Sequence, residues 1–439
     1  MLRRISEFLV LISLLVLWGF PALAVASSEL VFPDYQQRSQ IIHAYELQVQ
    51  QSPDSYLLLR LLAEQYLRRF REGMDQLDLR RAEQAARQSL AIQPNQNRVS
   101  TLILASTLLS QHRFQKALQV VKAAEASASN QTDLVALEAS IQMELGDYEA
   151  VQDSLQTLSQ QTLSQQTLTE DFGHSGHAAI TARYLELTGH LDEARQLLDK
   201  ALAEVDQFYT TPAEVAAWFH LRAGDLAFKA GDLELAEQRY HEALERFPQA
   251  RGALTGLAGL YGGQHRWSEA LDIANQVTQQ PSVKILGYKA EAQRALGDQT
   301  GAAATEVLMA SVADQSFNGT ANRALAAYYV DHGIHLPEAL KIAQGEVSLR
   351  DDVYTEDALA WAAATNGQWQ LAQQAATKAA RYGTEDALLY FHRGMIALHC
   401  DNPDEALQWL RQAIRLNPQF HPHYADVARQ VLADLDVGA

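Results

Sequence analysis

The chain has 439 residues, a formal net charge of −18 and 47% hydrophobic residues, with only 23 glycines and 11 prolines. The acidic balance argues against nucleic acid as a partner, because binding to phosphate groups needs concentrated positive charge. The only cysteine in the sequence is Cys400, so no disulfide bond can form within the chain and the fold must rest on packing.

The N-terminus has the layout of a secretory signal peptide. Arginines near the start precede an apolar run over residues 8–20, and small residues suited to cleavage end at Ala24 and Ala26. We therefore expect a signal peptide over residues 1–26 and an exported protein, periplasmic or secreted, with no membrane span after cleavage. The alternative is an uncleaved membrane anchor, because the apolar stretch is nearly long enough to span a bilayer.

A degenerate unit of about 34 residues then repeats over residues 54–419, after a lead-in over residues 27–53 that contains one predicted helix. Each copy reads as a helix, a tight turn and a second helix. A small residue in the second helix, which lets the paired helix approach closely, aligns about ten copies. These aligned residues are Ala82, Ala117, Ala150 or Val151, Ala194, Ala236, Ala270, Ala302, Ala339, Ala372 and Ala406.

The turns and helix ends carry the residues expected of helical hairpins. Glycine supplies the left-handed residue that ends the first helix, and the aspartate after it can cap the second helix. Proline ends second helices because it lacks a backbone donor. The pairs are Gly146-Asp147, Gly231-Asp232 and Gly297-Asp298, and the prolines are Pro94, Pro248 and Pro418.

These patterns predict an all-α fold, an α-solenoid of antiparallel helix pairs. One hairpin cannot bury its own apolar face, so neighbours must stack, and a helix within residues 420–439 is expected to cap the last hairpin. One first helix is unusual, because it contains five glycines that each cost about 1 kcal/mol relative to alanine. We expect this helix to be locally loose and to bend the array; the alternative is another backbone or a ligand lying close against it. The glycines are Gly252, Gly256, Gly259, Gly262 and Gly263.

The repeated unit resembles the tetratricopeptide repeat, which has small residues at its eighth, twentieth and twenty-seventh positions and proline at its thirty-second. The resemblance implies a superhelix that lines its concave face with first helices and binds extended peptides or partner helices there. The clearest copies match at Gly224, Ala236, Ala243 and Pro248, and again at Gly394, Ala406, Ala413 and Pro418.

In the family's register, nine side chains of first helices are expected to face that groove. Aromatic residues and methionine dominate interface energetics, so the stripe near the C-terminus suits peptide binding. For each aromatic residue the alternative is packing inside a hairpin. The nine candidates are Arg183, Arg222, Asp225, Phe228, Tyr328, Trp361, Phe391, His392 and Met395.

Three pairs of histidines are the candidate metal ligands in the sequence. Two histidines three apart on one helix face can share a metal ion, but one of these pairs is interrupted by glycine, another lies in a turn, and no third ligand is fixed nearby. We expect no metal, no cofactor and no catalytic activity. The sequence predicts a non-catalytic scaffold of the periplasm or cell exterior that binds a protein or peptide; the alternative is an accessory protein that binds a metal or small ligand through the histidine pairs. The pairs are His174 with His177, His332 with His335, and His421 with His423.

Overall fold

The computed structural model describes residues 35–125, 132–164, 173–207, 211–315 and 322–438. The predicted signal peptide, residues 1–26, lies outside the described residues. Within these ranges the chain forms 22 α-helices, a short 3-10 helix at Tyr35–Gln37 and no strand, which confirms the all-α prediction. No helix in these ranges is both long enough and apolar enough to span a bilayer.

The helices form a regular series. After α1, each even-numbered helix pairs with the odd-numbered helix that follows it, giving ten antiparallel hairpins from α2–α3 to α20–α21, and α22 packs on the last hairpin. The even-numbered helices are therefore the first helices of the repeats. In chain order the helices are α1 Arg38–Gln51, α2 Tyr56–Gly73, α3 Gln76–Ile92, α4 Arg98–Ser110, α5 Phe114–Glu125, α6 Thr132–Leu145, α7 Tyr148–Ser164, α8 Gly173–Leu187, α9 Leu191–Gln207, α10 Ala213–Lys229, α11 Leu233–Arg246, α12 Arg251–Gly263, α13 Trp267–Asn275, α14 Val283–Ala295, α15 Gln299–Gln315, α16 Arg323–Asp331, α17 Leu336–Val347, α18 Val353–Thr365, α19 Trp369–Ala379, α20 Ala387–His399, α21 Pro403–Leu416 and α22 Tyr424–Gly438.

The small residues used to align the repeats lie in the hairpin cores, as predicted. The aligned alanines of the second helices are at most 1% exposed, and at the one ambiguous position the buried residue is Val151. A Cβ on Gly224 would lie 2.8 Å from the Tyr240 ring, so this glycine leaves room for an aromatic side chain of α11.

The turns behave as the sequence predicts. Gly146, Gly231 and Gly297 have φ values of 82°, 76° and 89°, the left-handed conformation that glycine tolerates best. The aspartate after each accepts a hydrogen bond from the backbone N–H three residues on, over 2.9 to 3.4 Å. The second helices α3, α11 and α21 each end two residues before their proline.

The array winds so tightly that successive turns of the superhelix touch. Hydrogen bonds cross this contact between residues separated by 206, 197 and 189 positions. A Cβ on any of three turn glycines would lie only 2.2 to 2.4 Å from a carbonyl oxygen across the contact. We call this contact the seam; it joins the hairpin turns at Gly146, Gly189 and Gly231 to the inter-repeat segments 351–352, 382–384 and 416–417.

The glycine-rich helix lies close against other parts of the chain. α12 is continuous from Arg251 to Gly263. A Cβ on Gly256 would lie 2.6 Å from the Tyr240 ring, and one on Gly263 would lie 2.5 Å from the carbonyl oxygen of Gln419. The alternative is therefore correct: another backbone lies close, and an aromatic ring takes the space of an absent side chain.

Candidate functional site

A buried carboxylate gathers three cations inside the superhelix. Glu186 on α8 is 1% exposed, and its carboxylate lies 2.7 Å from Arg183 on the same helix and 2.7 Å from both Arg222 and Lys229 on α10. The spacing explains the arrangement, since Arg183 and Glu186 are three residues apart and share a helix face. Such a site requires all its partners, because a buried charge left unpaired is strongly destabilising.

The ring of Tyr354, on α18, lies among the same cations. Lys229 Nζ is 4.6 Å from the ring centroid, and the guanidinium carbons of Arg183 and Arg323 are 5.7 and 5.8 Å from it. Lys229 also donates a hydrogen bond to the Tyr354 hydroxyl. The side chains come from α8, α10, α16 and α18, so these four helices surround one interior space.

The charged groups of this interior shift one another's pKa values. Burial alone would raise the pKa of Glu186, but Arg183, Lys229 and Arg222 together hold it well below its ordinary value. Burial would likewise lower the pKa of Lys229, yet Glu186 and the Tyr354 hydroxyl raise it. The network is therefore fully ionised at neutral pH.

Part of the interior remains open to solvent. The side chains of Arg183, Asp225 and Arg323 are 30%, 29% and 33% exposed, and Lys284 on α14 is exposed. The Lys284 ammonium group lies 5.9 Å from the centroid of the Tyr288 ring, and Tyr288 and Asp225 raise its pKa. The open surface thus carries both signs of charge.

The predicted groove residues of the middle repeats fall in or beside this network. Arg222 bridges Glu186 and Asp225, and Asp225 also accepts a hydrogen bond from the Tyr240 hydroxyl at 3.0 Å. Phe228 is half-buried against the core, and its backbone carbonyl accepts a hydrogen bond from Asn417 across the seam. Arg183, Arg222 and Asp225 therefore lie together in this charged network.

The aromatic candidates of the C-terminal repeats are placed differently, and three of them need correction. Phe391 is 1% exposed, His392 5% and Tyr328 7%, so none of them offers an open binding surface. Trp361 and Met395 are half-buried in the cluster that contains Phe391. The physical reason is the helix that caps the array, because the first residue of α22, Tyr424, stacks on Phe391 at 4.6 Å and accepts a hydrogen bond from Trp361.

Tyr328 is buried for a local reason. Its ring lies over Gly287 of the neighbouring first helix, where a Cβ would come within 3.1 Å. Its hydroxyl donates to Glu306 over 2.7 Å and accepts from Arg294 over 2.9 Å. Burial and the bond to Glu306 raise the pKa of Tyr328, which marks a satisfied structural tyrosine.

The histidine pairs do not converge on a common ligand. The ring of His332 packs at a tilt against Tyr328 and that of His335 against Tyr329, with centroid distances of 4.2 and 4.8 Å. His421 and His423 each pair with a carboxylate from a different helix, Asp331 on α16 and Glu291 on α14. No group of three or more potential ligands suited to a metal ion occurs among the described residues; the side chain of His174 lies outside them.

Sequence reasoning missed Glu186, Lys229 and Tyr354, which organise the interior. A signal was available for the first two, because Arg183-Glu186 and Arg222-Asp225-Lys229 place charges three and four residues apart on first helices. Such a charged stripe on a helix that must pack on both sides indicates a shared polar interior. Tyr354 offered no comparable signal, since it lies at the start of its helix.

Comparison with known proteins gives short or distant similarities. A segment of 82 residues, 19% of this chain, is 43% identical to cellulose synthase operon protein C of Xanthomonas axonopodis pv. citri (strain 306), and the match spans only 5% of that relative's length. A tetratricopeptide repeat protein from Parabacteroides merdae has 16% identity over 61% of this chain and 98% of its own, with a TM-score of 0.39. A signal transduction ATPase with a tetratricopeptide repeat sensor from Pyrococcus horikoshii has 15% identity over 86% of this chain and 52% of its own, with a TM-score of 0.43.

The family comparison agrees with the hairpin geometry. The family model described as tetratricopeptide repeat matches residues 221–284 and 358–419. These two segments contain the clearest copies of the repeat, and the hairpins outside them keep a buried alanine at the same position of their second helices, except that α7 has Val151 there. Residues 221–284 and 358–419 are therefore tetratricopeptide repeats.

Proposed function

We propose that the protein is a non-catalytic scaffold that binds an extended segment of a partner protein inside the superhelix, between α8 and α16. One observation carries the proposal: four first helices, α8, α10, α14 and α16, each present a partly or fully exposed charged side chain to one interior space. Arg183, Asp225, Lys284 and Arg323 form this open surface. The tetratricopeptide repeats support an interaction role.

The charges favour a particular kind of partner. Three of these four side chains are cations and one is a carboxylate, which suits a partner segment that carries charges of both signs with acidic residues in excess. Complementary charges of this kind mainly set specificity and association rate. The net charge of −18 further supports a protein partner over nucleic acid.

Site-specific crosslinking tests the location of binding. A photoreactive residue is placed at Lys284, in the interior, and as a matched control at Lys200, an exposed lysine on the second helix α9. We expect the partner to crosslink from position 284 and not from 200, and Lys284→Glu to reduce capture while Lys200→Glu does not. Equal capture from both positions would contradict binding inside the superhelix.

We further propose that the scaffold acts outside the cytoplasm. The support is the sequence layout of residues 1–26, with its apolar run and small residues before a cleavage point. Residues 1–28 fused to a reporter that is active only after export should direct translocation, and the mature chain should begin at Val25 or Ser27. Full-length chain retained in the membrane fraction would support an anchor instead.

A further inference from the structure

The segment that joins α21 to α22 runs along the C-terminal ends of four successive first helices, α10, α12, α14 and α16. Residues 417–423 are not helical, and their contacts reach first helices along the array rather than the last hairpin alone. Asn417 Nδ2 donates to the Phe228 carbonyl at the end of α10 over 2.7 Å, and His265, after α12, lies 3.0 Å from the Pro422 carbonyl. His423 Nε2 lies 2.6 Å from Glu291 on α14.

Tyr424 anchors this segment. Its ring stacks on Phe391 at 4.6 Å, its hydroxyl donates to Asp331 on α16 over 2.8 Å, and it accepts from Trp361 on α18 over 3.0 Å. His421 adds a contact with the same carboxylate, 3.3 Å from Asp331. These partners belong to three successive first helices, so the Tyr424 side chain contacts three repeats.

The site that Tyr424 occupies contains one polar atom whose hydrogen bonding is incomplete. His392 is 5% exposed and its Nδ1 lies 3.0 Å from Asp357, but its Nε2 is buried with no hydrogen-bond partner among the described residues. The ring stacks on Trp361 at 4.5 Å and adjoins Tyr424. A buried polar atom without a partner is destabilising, so a segment that supplied one would bind this site better than the present occupant.

We propose that residues 417–424 are an internal ligand of these first helices, and that a partner segment carrying a tyrosine displaces them. The recognition chemistry is an aromatic ring on Phe391, a hydroxyl donating to Asp331 and a polar group for His392. The inference rests on the proposed function, since it assigns a second part of the first-helix surface to the partner. The internal ligand keeps this part closed until the partner arrives.

A peptide of residues 417–426, fluorescently labelled, tests displacement without knowledge of the partner. The full-length protein should bind it weakly, because its own segment competes, and Tyr424→Ala should bind it about tenfold more tightly or better. Adding Asp331→Ala to Tyr424→Ala should remove that gain. Equal weak binding by the wild type and Tyr424→Ala would overturn the proposal.

Hydrogen exchange of the wild-type protein tests the same proposal without variants, which could misfold. If the segment opens locally, the amides of Phe420 to Tyr424 exchange faster than those of α20 and in a way that denaturant hardly affects. Exchange only through global unfolding, at the rate of α20, would show that the segment is fixed core structure and would refute the proposal. The Lys284 crosslink reports the proposed function separately, so either idea can fail alone.

Discussion

The seam makes a sharp prediction about two glycines that look alike in the sequence. Gly189 and Gly367 both end a first helix with positive φ, 79° and 72°. A Cβ on Gly189 would lie 2.4 Å from the Gly383 carbonyl oxygen across the seam, whereas a Cβ on Gly367 would meet nothing within 4 Å. Gly189→Ala therefore tests the seam, and Gly367→Ala is its matched control.

The loss of unfolding free energy in each of the two variants can be estimated from this geometry. Both variants place alanine in the left-handed region, which costs about 1–2 kcal/mol. Gly189→Ala must also push the facing backbone away, and overpacking of that kind adds about 1–3 kcal/mol. We therefore expect a loss of about 2–5 kcal/mol in unfolding free energy for Gly189→Ala, against about 1–2 kcal/mol for Gly367→Ala.

Urea unfolding followed by circular dichroism measures the difference, and hydrogen exchange locates it. In Gly189→Ala the amides at 382–384 should lose protection, because Thr384 donates a hydrogen bond to the Leu187 carbonyl across the seam. Small-angle scattering should show a larger radius of gyration at unchanged helicity. Equal stability losses, equal protection and equal radii in the two variants would refute the seam.

Three further predictions concern packing and charge. Ala236→Leu should cost about 1–3 kcal/mol in thermal or urea unfolding, because Ala236 is fully buried, whereas Gln238→Leu at an exposed site should be nearly silent. Glu186→Gln should cost about 1–3 kcal/mol, because Arg183, Arg222 and Lys229 lose the carboxylate that they share, while Asp225 and Asp386 still pair with Arg222 and Lys229. The depressed pKa of Glu186 means that its contribution is present above the ordinary glutamate pKa and is lost as pH falls through the depressed value, so this variant should flatten the acid limb of stability. Its hydrogen bond to Glu291 raises the pKa of His423, so a nuclear magnetic resonance titration should find that pKa above the ordinary value and Glu291→Gln should lower it.

The hairpins were predictable because each depends on local chemistry. A small residue at the helix crossing, a left-handed glycine and a capping aspartate all act within one repeat, so the spacing of Ala236, Gly231 and Asp232 determines the hairpin. The seam was not predictable in this way. Gly146 and Gly297 have the same φ region and the same following aspartate, yet only Gly146 lies against another backbone. Which glycine does so depends on the pitch of the superhelix.

The candidate site was predictable only where it depends on local repeat chemistry and not on the winding of the superhelix. Arg183 and Arg222 reach the interior because the repeat register turns their helix face inward, and this follows from local periodicity. Phe391 has the same kind of register, but Tyr424 covers it. A residue's place on a helix face is thus local information, whereas its exposure depends on what the winding brings against that face.

The tight winding also connects the glycine-rich helix to the internal ligand. α12 can pass close to the segment after α21 only because Gly263 has no side chain, since a Cβ there would lie 2.5 Å from the Gln419 carbonyl oxygen. Gly262 likewise faces Pro422, with a Cβ position 3.4 Å from the proline ring. Each glycine costs about 1 kcal/mol of helix stability relative to alanine, so the close passage needs compensation. The contacts that Tyr424, His421 and His423 make beyond it supply that compensation, which links the conformation of α12 to the internal ligand.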